Sequence, residues 1–232
     1  MLETISWISL SVAFVSSIVI AIDEVRHPQK MWIMNIVWPV TALYFSVFAV
    51  WAYFRFGRPM TREAMGKFSG QEHKRKMAEG RKDPTWSQIG IAVSHCGSGC
   101  AIADVITEFT LFGLGVTVLG SSLWASYVFD FIAAWTLGVV FQYFTIKPMR
   151  DLSPMQGIRA AIKADTFSIT AFQLGMYGWM ALVFFVFFPR PHLEANQPEY
   201  WLMMQIAMIL GFLSSYPMNK FLIKAGWKEV MG

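Results

Sequence analysis

Charge is scarce in this chain: only 15% of its 232 residues are Asp, Glu, Lys or Arg. A water-soluble domain of this length normally needs more to cover its surface, so a soluble class is disfavoured from the outset. Cysteine is scarcer still. Two cysteines inside one apolar segment exclude a disulfide scaffold and say little about redox compartment. No glycine-rich phosphate loop is present, which argues against direct ATP hydrolysis. Internal repeats and low-complexity stretches are absent too, so an inverted-repeat transporter architecture has no support. A basic n-region is also missing ahead of the first apolar run, which therefore reads as a retained helix, not a cleaved secretory signal.

What the chain has is apolar bulk. It is 55% hydrophobic and 16% aromatic, with a mean hydropathy of +0.45, the composition of an integral membrane protein. At roughly 20 to 25 residues per span, the chain holds about six helices and no separate soluble domain. The expected fold is all-α: one membrane domain over residues 1–232. Apolar spans are predicted at 4–22, 31–54, 85–118, 123–146, 160–188 and 200–223, with a kink expected at Pro39. Gly120-Ser121-Ser122 reads as a tight turn making the third and fourth spans a hairpin. Residues 55–84 form the long hydrophilic connection, centred on Lys74-Arg75-Lys76, with a short amphipathic helix expected over 62–79. Residues 85–232 form the core around the motif described below.

Basic residues set the expected orientation. Of the nineteen Lys and Arg, only Arg26, Lys30 and Arg190 fall on one side. That bias places both termini in the cytoplasm. The net charge of +4 then reflects membrane topology, and the expected partner is a lipid bilayer, not nucleic acid.

Ser94 to Glu108 stands out. It holds both cysteines, His95, Asp104 and Glu108 in a segment otherwise apolar enough to cross a bilayer. Ionisable groups at membrane depth face protein or water and mark function by default. On a straight helix a four-residue step advances about 400°, so Cys96, Cys100, Asp104 and Glu108 form one stripe climbing about 18 Å. His95 points about 100° away from Cys96 and joins it around one ion only if the helix distorts. Gly97 and Gly99 are the residues that would permit distortion, and with Ala101 and Ala103 they also suit a close helix-packing face.

Three chemistries suit the stripe. Thiolates and imidazole bind copper or zinc, and thioethers favour Cu(I). That makes His95, Cys96 and Cys100 candidate metal ligands and Met176, Met180, Met204 and Met208 candidate soft ligands. Alternatively, Cys96 and Cys100 cycle between dithiol and disulfide, although a four-residue helical spacing directs the Cβ atoms poorly for a bridge. Thirdly, Asp104, Glu108, Asp130 and Asp165 form an ion or proton path, with Gln142, Gln173 and Gln205 as supporting polar groups. The leading reading is a protein that binds or moves a soft or borderline transition-metal ion, copper first. A membrane thiol oxidoreductase and a structural or assembly subunit are the alternatives, and a homo-oligomer is compatible with all three. More ordinary roles stand beside these. Buried cysteines and methionines often only fill space, and Asp130 or Asp165 would be satisfied by Lys163, Gln173 or a backbone donor. His27, His73 and His192 lie in loops, where exposure is expected.

With His-Cys-Gly-Ser-Gly-Cys at 95–100, Asp104 and Glu108, the chain resembles a bacterial membrane-protein family known as domain of unknown function 4396. Phe141-Gln142-Tyr143-Phe144, Lys163-Ala164-Asp165, Gly175 through Trp179, Met204 through Met208, Tyr216-Pro217 and Gly226 through Met231 carry the resemblance further. It runs from about Trp86 to the end of the chain. The family pattern usually has alanine where Ser98 stands. The resemblance implies a multi-pass protein of the bacterial cytoplasmic membrane and the importance of this stretch, and it supplies no activity.

Overall fold

The structure, a computed structural model, describes residues 1–66, 79–150 and 152–230, without the side chains of 148–150. The protein is all-α, with six helices among the described residues long and apolar enough to cross a membrane. Such spans are helical because hydrocarbon offers backbone groups no hydrogen-bond partner, so each must be satisfied within its own segment. They are α1 (Leu2–Arg26), α2 (Met34–Ala52), α3 (Trp86–Leu114), α4 (Ser122–Arg150), α5 (Pro154–Leu182) and α6 (Pro198–Lys224). α2 continues through a π turn and a 3-10 turn to Met60, and α5 through a π turn to Phe187.

Local signals explain the boundaries. Thr85 and Gln88 form a capping box that starts α3, satisfying amides that have no partner within the helix. Gly115, at φ 62°, stops it in the left-handed region where glycine carries no Cβ penalty. Residues 115–121 then turn the chain into α4, as the Gly-Ser-Ser signal predicted. Ser153 precedes Pro154 at the first position of α5, so that helix begins six residues before the expected span. The expected kink at Pro39 is displaced: the non-helical dihedrals in α2 lie at Ser46. Of the amphipathic helix expected over 62–79, Arg62–Met65 is helical. Lys74-Arg75-Lys76 lies outside the described residues.

α3 is the axis of the bundle. In its most apolar stretch 72% of residues are buried, against 22% to 39% in the other spans. Phe14, Phe48, Ile132 and Phe185 are among the large apolar side chains left exposed on the outer helices, an arrangement suited to lipid. This placement puts His95, Cys96, Cys100, Asp104 and Glu108 against protein, while Ile106 and Phe109 on the same helix stay exposed.

Candidate functional site

Gly97 and Gly99 bring the neighbouring helices onto α3. A Cβ on Gly97 would sit 2.9 Å from the Tyr44 hydroxyl of α2 and 3.0 Å from the Phe172 ring of α5. Gly99 faces the backbone of Gly138 on α4, with a Cβ position 3.5 Å from its nitrogen. α3 runs unbroken from Trp86 to Leu114, so these glycines serve close packing and not the distortion that would turn His95 toward the thiols. Ser98, where the resembled pattern has alanine, lies 3.0 Å from the Val37 carbonyl and 2.8 Å from that of Ser94, tying α3 to α2.

All four members of the stripe are buried: Cys96, Cys100, Asp104 and Glu108. Cys96 is at the centre of a polar cluster. Its sulfur lies 2.8 Å from the Lys228 ammonium, 3.3 Å from an Asp165 carboxyl oxygen, 3.3 Å from the Ser168 hydroxyl and 3.6 Å from the Gln142 amide nitrogen. The thiol therefore stands between a cation and a carboxyl group, accepting from the first and donating to the second. Asp165 reaches this position because Gly138 has no side chain: a Cβ there would collide with its Oδ2. The ammonium supplies the positive charge that makes burial of an acidic group tolerable.

Lys228 gets there by a turn at the end of α6. Gly226, at φ 71°, reverses the chain while its amide bonds to Ile223 and that of Trp227 to Leu222, the paired bonds of a Schellman ending. The side chain then runs inward and is fully buried. Lys163, one partner considered for Asp165, is exposed and lies over the Trp227 ring at 3.8 Å instead.

Farther along α3 the chemistry changes. Thr107 donates to Asp130, and Glu108, Asp130 and Tyr200 converge on one cavity. Asp104, one turn below, has neither oxygen hydrogen-bonded among the described residues. Glu108 and Asp130 line a cavity of about 390 Å³ together with Met176, Tyr177, Tyr200 and Met204. Its lining includes Gly115 and Leu193, at the end of the bundle away from Lys228. A second cavity of about 340 Å³, walled by Asp104, Met204, Met208 and Trp201, adjoins α1 and α2.

The remaining candidate residues scatter. His95 points to α4, its Nε2 3.1 Å from the Thr145 hydroxyl and its ring edge-on to Phe141, as the 100° offset requires. No group of three or more His, Cys, Asp and Glu side chains among the described residues is placed to hold a metal ion. Cys100 and Met176, Met180, Met204 and Met208 belong to one buried apolar cluster. Gln142 joins the Cys96 cluster, whereas Gln173 is buried with both amide atoms unpartnered among the described residues. Gln205 braces the fold: its amide donates to the Leu43 carbonyl at 2.7 Å and accepts from Ser9. His192, expected in solvent, is stacked on Phe184 at 3.6 Å beside the larger cavity.

Sequence reasoning missed Lys228, Ser168 and Asn219. The two on helices are ordinary polar residues without a motif, and Lys228 looked like part of a basic tail. One signal pointed to it, namely that the family-like stretch runs past the last apolar span.

Fold and site together define an all-α, multi-pass membrane protein with a series of ionisable groups enclosed along its central helix. The chain belongs to the family described as Domain of unknown function (DUF4396), which matches residues 85–228. That range covers the whole stripe, Asp130, Asp165, Asn219 and Lys228. No curated protein matches the chain, and no solved structure does.

Proposed function

We propose that this protein passes cations across a membrane along the α3 stripe. One observation carries the reading: Glu108, Asp130, Asp104, Cys100, Cys96, Asp165 and Lys228 are all buried in a bundle whose outer face is apolar. Enclosed ionisable series of this kind mark ion and proton pathways. With the positive-inside orientation, the larger cavity opens to the exterior of a bacterial cytoplasmic membrane and the Cys96 cluster lies on the cytoplasmic side. Glu108 and Asp130 draw cations into the cavity, Asp104 relays them, and the two thiols with Asp165 receive them.

Soft cargo, copper first and zinc second, is favoured by one further arrangement. Cys100 shares its buried cluster with five methionines, and thiolate with thioether selects Cu(I). His95 stands apart from this set as a gate on the α4 side.

Flux into vesicles containing the purified protein tests the proposal, with Cu(I) and protons followed separately. Wild type should carry copper faster than protein-free vesicles. Cys96→Ser with Cys100→Ser should abolish the copper signal, and Asp104→Asn with Glu108→Gln should slow it. Wild-type flux of both ions at the protein-free level would refute transport. Titrating thiols before and after a mild oxidant separates the oxidoreductase alternative, which requires reversible loss of two thiols per chain. A structural or assembly subunit instead predicts that the double serine variant changes neither the cellular phenotype nor bound metal.

A further inference from the structure

The Lys228 ammonium has more acceptors around it than a lysine can use. Asn219 Oδ1 lies at 2.5 Å, Cys96 Sγ at 2.8 Å, the Ala92 carbonyl at 3.1 Å and Ser168 Oγ at 3.3 Å. An ammonium on a carbon stem has three N–H bonds. Four acceptors on three different helices, α3, α5 and α6, surround a point and not a direction.

The nest is rigid without the lysine. The Asn219 amide nitrogen donates to Ser168 Oγ, to the Ser215 carbonyl and to Ser215 Oγ at 2.7–2.9 Å, which turns its oxygen toward the ammonium. Ser168 in turn touches Cys96. Asp165, 3.3 Å from the sulfur, places acidic charge capacity one bond behind the nest. Lys228 alone comes from outside, on a strap of five residues after α6. The strap is held by Arg81, whose guanidinium meets Glu229 at 2.6 Å, and by Trp227 against Phe167 and Phe221.

We propose that the nest of Ala92, Cys96, Ser168 and Asn219 is a binding site for a small protonated amine, ammonium or a primary alkylammonium, and that the Lys228 side chain is its tethered occupant. A free cation of this class takes the site where the lysine side chain is missing. The site's acceptors are mostly neutral oxygens spaced for N–H bonds, with Asp165 balancing one positive charge. The inference stands on this geometry alone and holds whichever cation the stripe carries.

Chemical rescue tests it on the purified full chain, with thermal unfolding as the readout. Lys228→Ala should unfold well below wild type. Ammonium or methylammonium should restore most of the loss, whereas tetramethylammonium, which has no N–H to donate, should not. Lys228→Met, which fills the channel with an uncharged chain, should lose stability and respond to none of them. Wild type should be indifferent. If Lys228→Ala cannot be isolated alone, its yield when expressed and purified with methylammonium replaces the unfolding measurement, and the same contrast is expected. Equal effects of methylammonium and tetramethylammonium, or no response to either, would overturn the proposal, and so would full stability of Lys228→Ala without added amine.

Discussion

The two ends of the α3 stripe share a helix, a spacing and a depth of burial, yet they solve the problem of a buried charge in opposite ways. At the Cys96 end the thiol meets an ammonium, a carboxyl group, a hydroxyl and an amide within 3.6 Å. At the other end Asp104, Glu108 and Asp130 come together with Thr107 and Tyr200, and the carboxyl oxygens of Asp104 have no hydrogen bond among the described residues. A charge removed from water must be paired or neutralised. The first end is paired by the protein's own lysine and is closed. The second is acidic and borders two cavities.

That contrast can be broken at its strongest point. Lys228→Met removes the cation while leaving the chain's bulk, and loss of one partner of a buried charge pair typically costs about 3–5 kcal/mol. Thermal unfolding should show it, and Asp165→Asn added to Lys228→Met should recover part of the loss because the uncompensated acid is gone. Full additivity of the two substitutions would mean that Asp165 and Lys228 do not act on each other. Gly138→Ala is expected next. Its Cβ meets Asp165 Oδ2 and Ile169 Cδ1, and overpacking of this kind costs about 1–3 kcal/mol. Gly99→Ala, whose nearest neighbour across the interface stands at 3.5 Å, should cost less.

The acidic end should respond in the other direction. Asp104→Asn breaks no hydrogen bond among the described residues and removes acidic charge capacity, so stability should stay within about 0.5 kcal/mol of wild type or rise. A loss as large as that of Lys228→Met would show that Asp104 is paired after all and would dissolve the contrast. Arg81→Ala should cost little stability. Its bond to Glu229 is half exposed on the arginine side, and such pairs contribute about 0.2–1 kcal/mol. Loosening the strap should nevertheless raise the rate at which a membrane-permeant maleimide modifies Cys96, and an unchanged rate would show that the strap does not cover the thiol.

Much of the fold was legible because its cause is local. Each apolar run became a helix, and Thr85-Gln88 and the glycine after Leu114 set the ends of α3 within a few residues. Pro39 misled, since α2 leaves helical dihedrals at Ser46 instead. The site was legible in its direction only. Four-residue spacing put Cys96, Cys100, Asp104 and Glu108 on one face, and the same arithmetic sent His95 toward Thr145. Spacing carries no information about what stands opposite, so Lys163 was weighed as a partner for Asp165 and Lys228 was not considered. The glycines had two readings that only neighbouring helices separate.

The amino-acid order by itself determined six apolar helices, the hairpin between α3 and α4, and a central segment whose ionisable residues share a face, because hydrophobic period and turn chemistry act within a few residues. Tertiary structure alone decided that a lysine from the last turn of the chain lies beside Cys96, that Gly138 makes room for Asp165, and that the acids at the far end have no ion pair among the described residues. Those facts depend on contacts between residues far apart in the chain. In a close-packed interior such contacts are set by how helices meet, not by the order in which they are written.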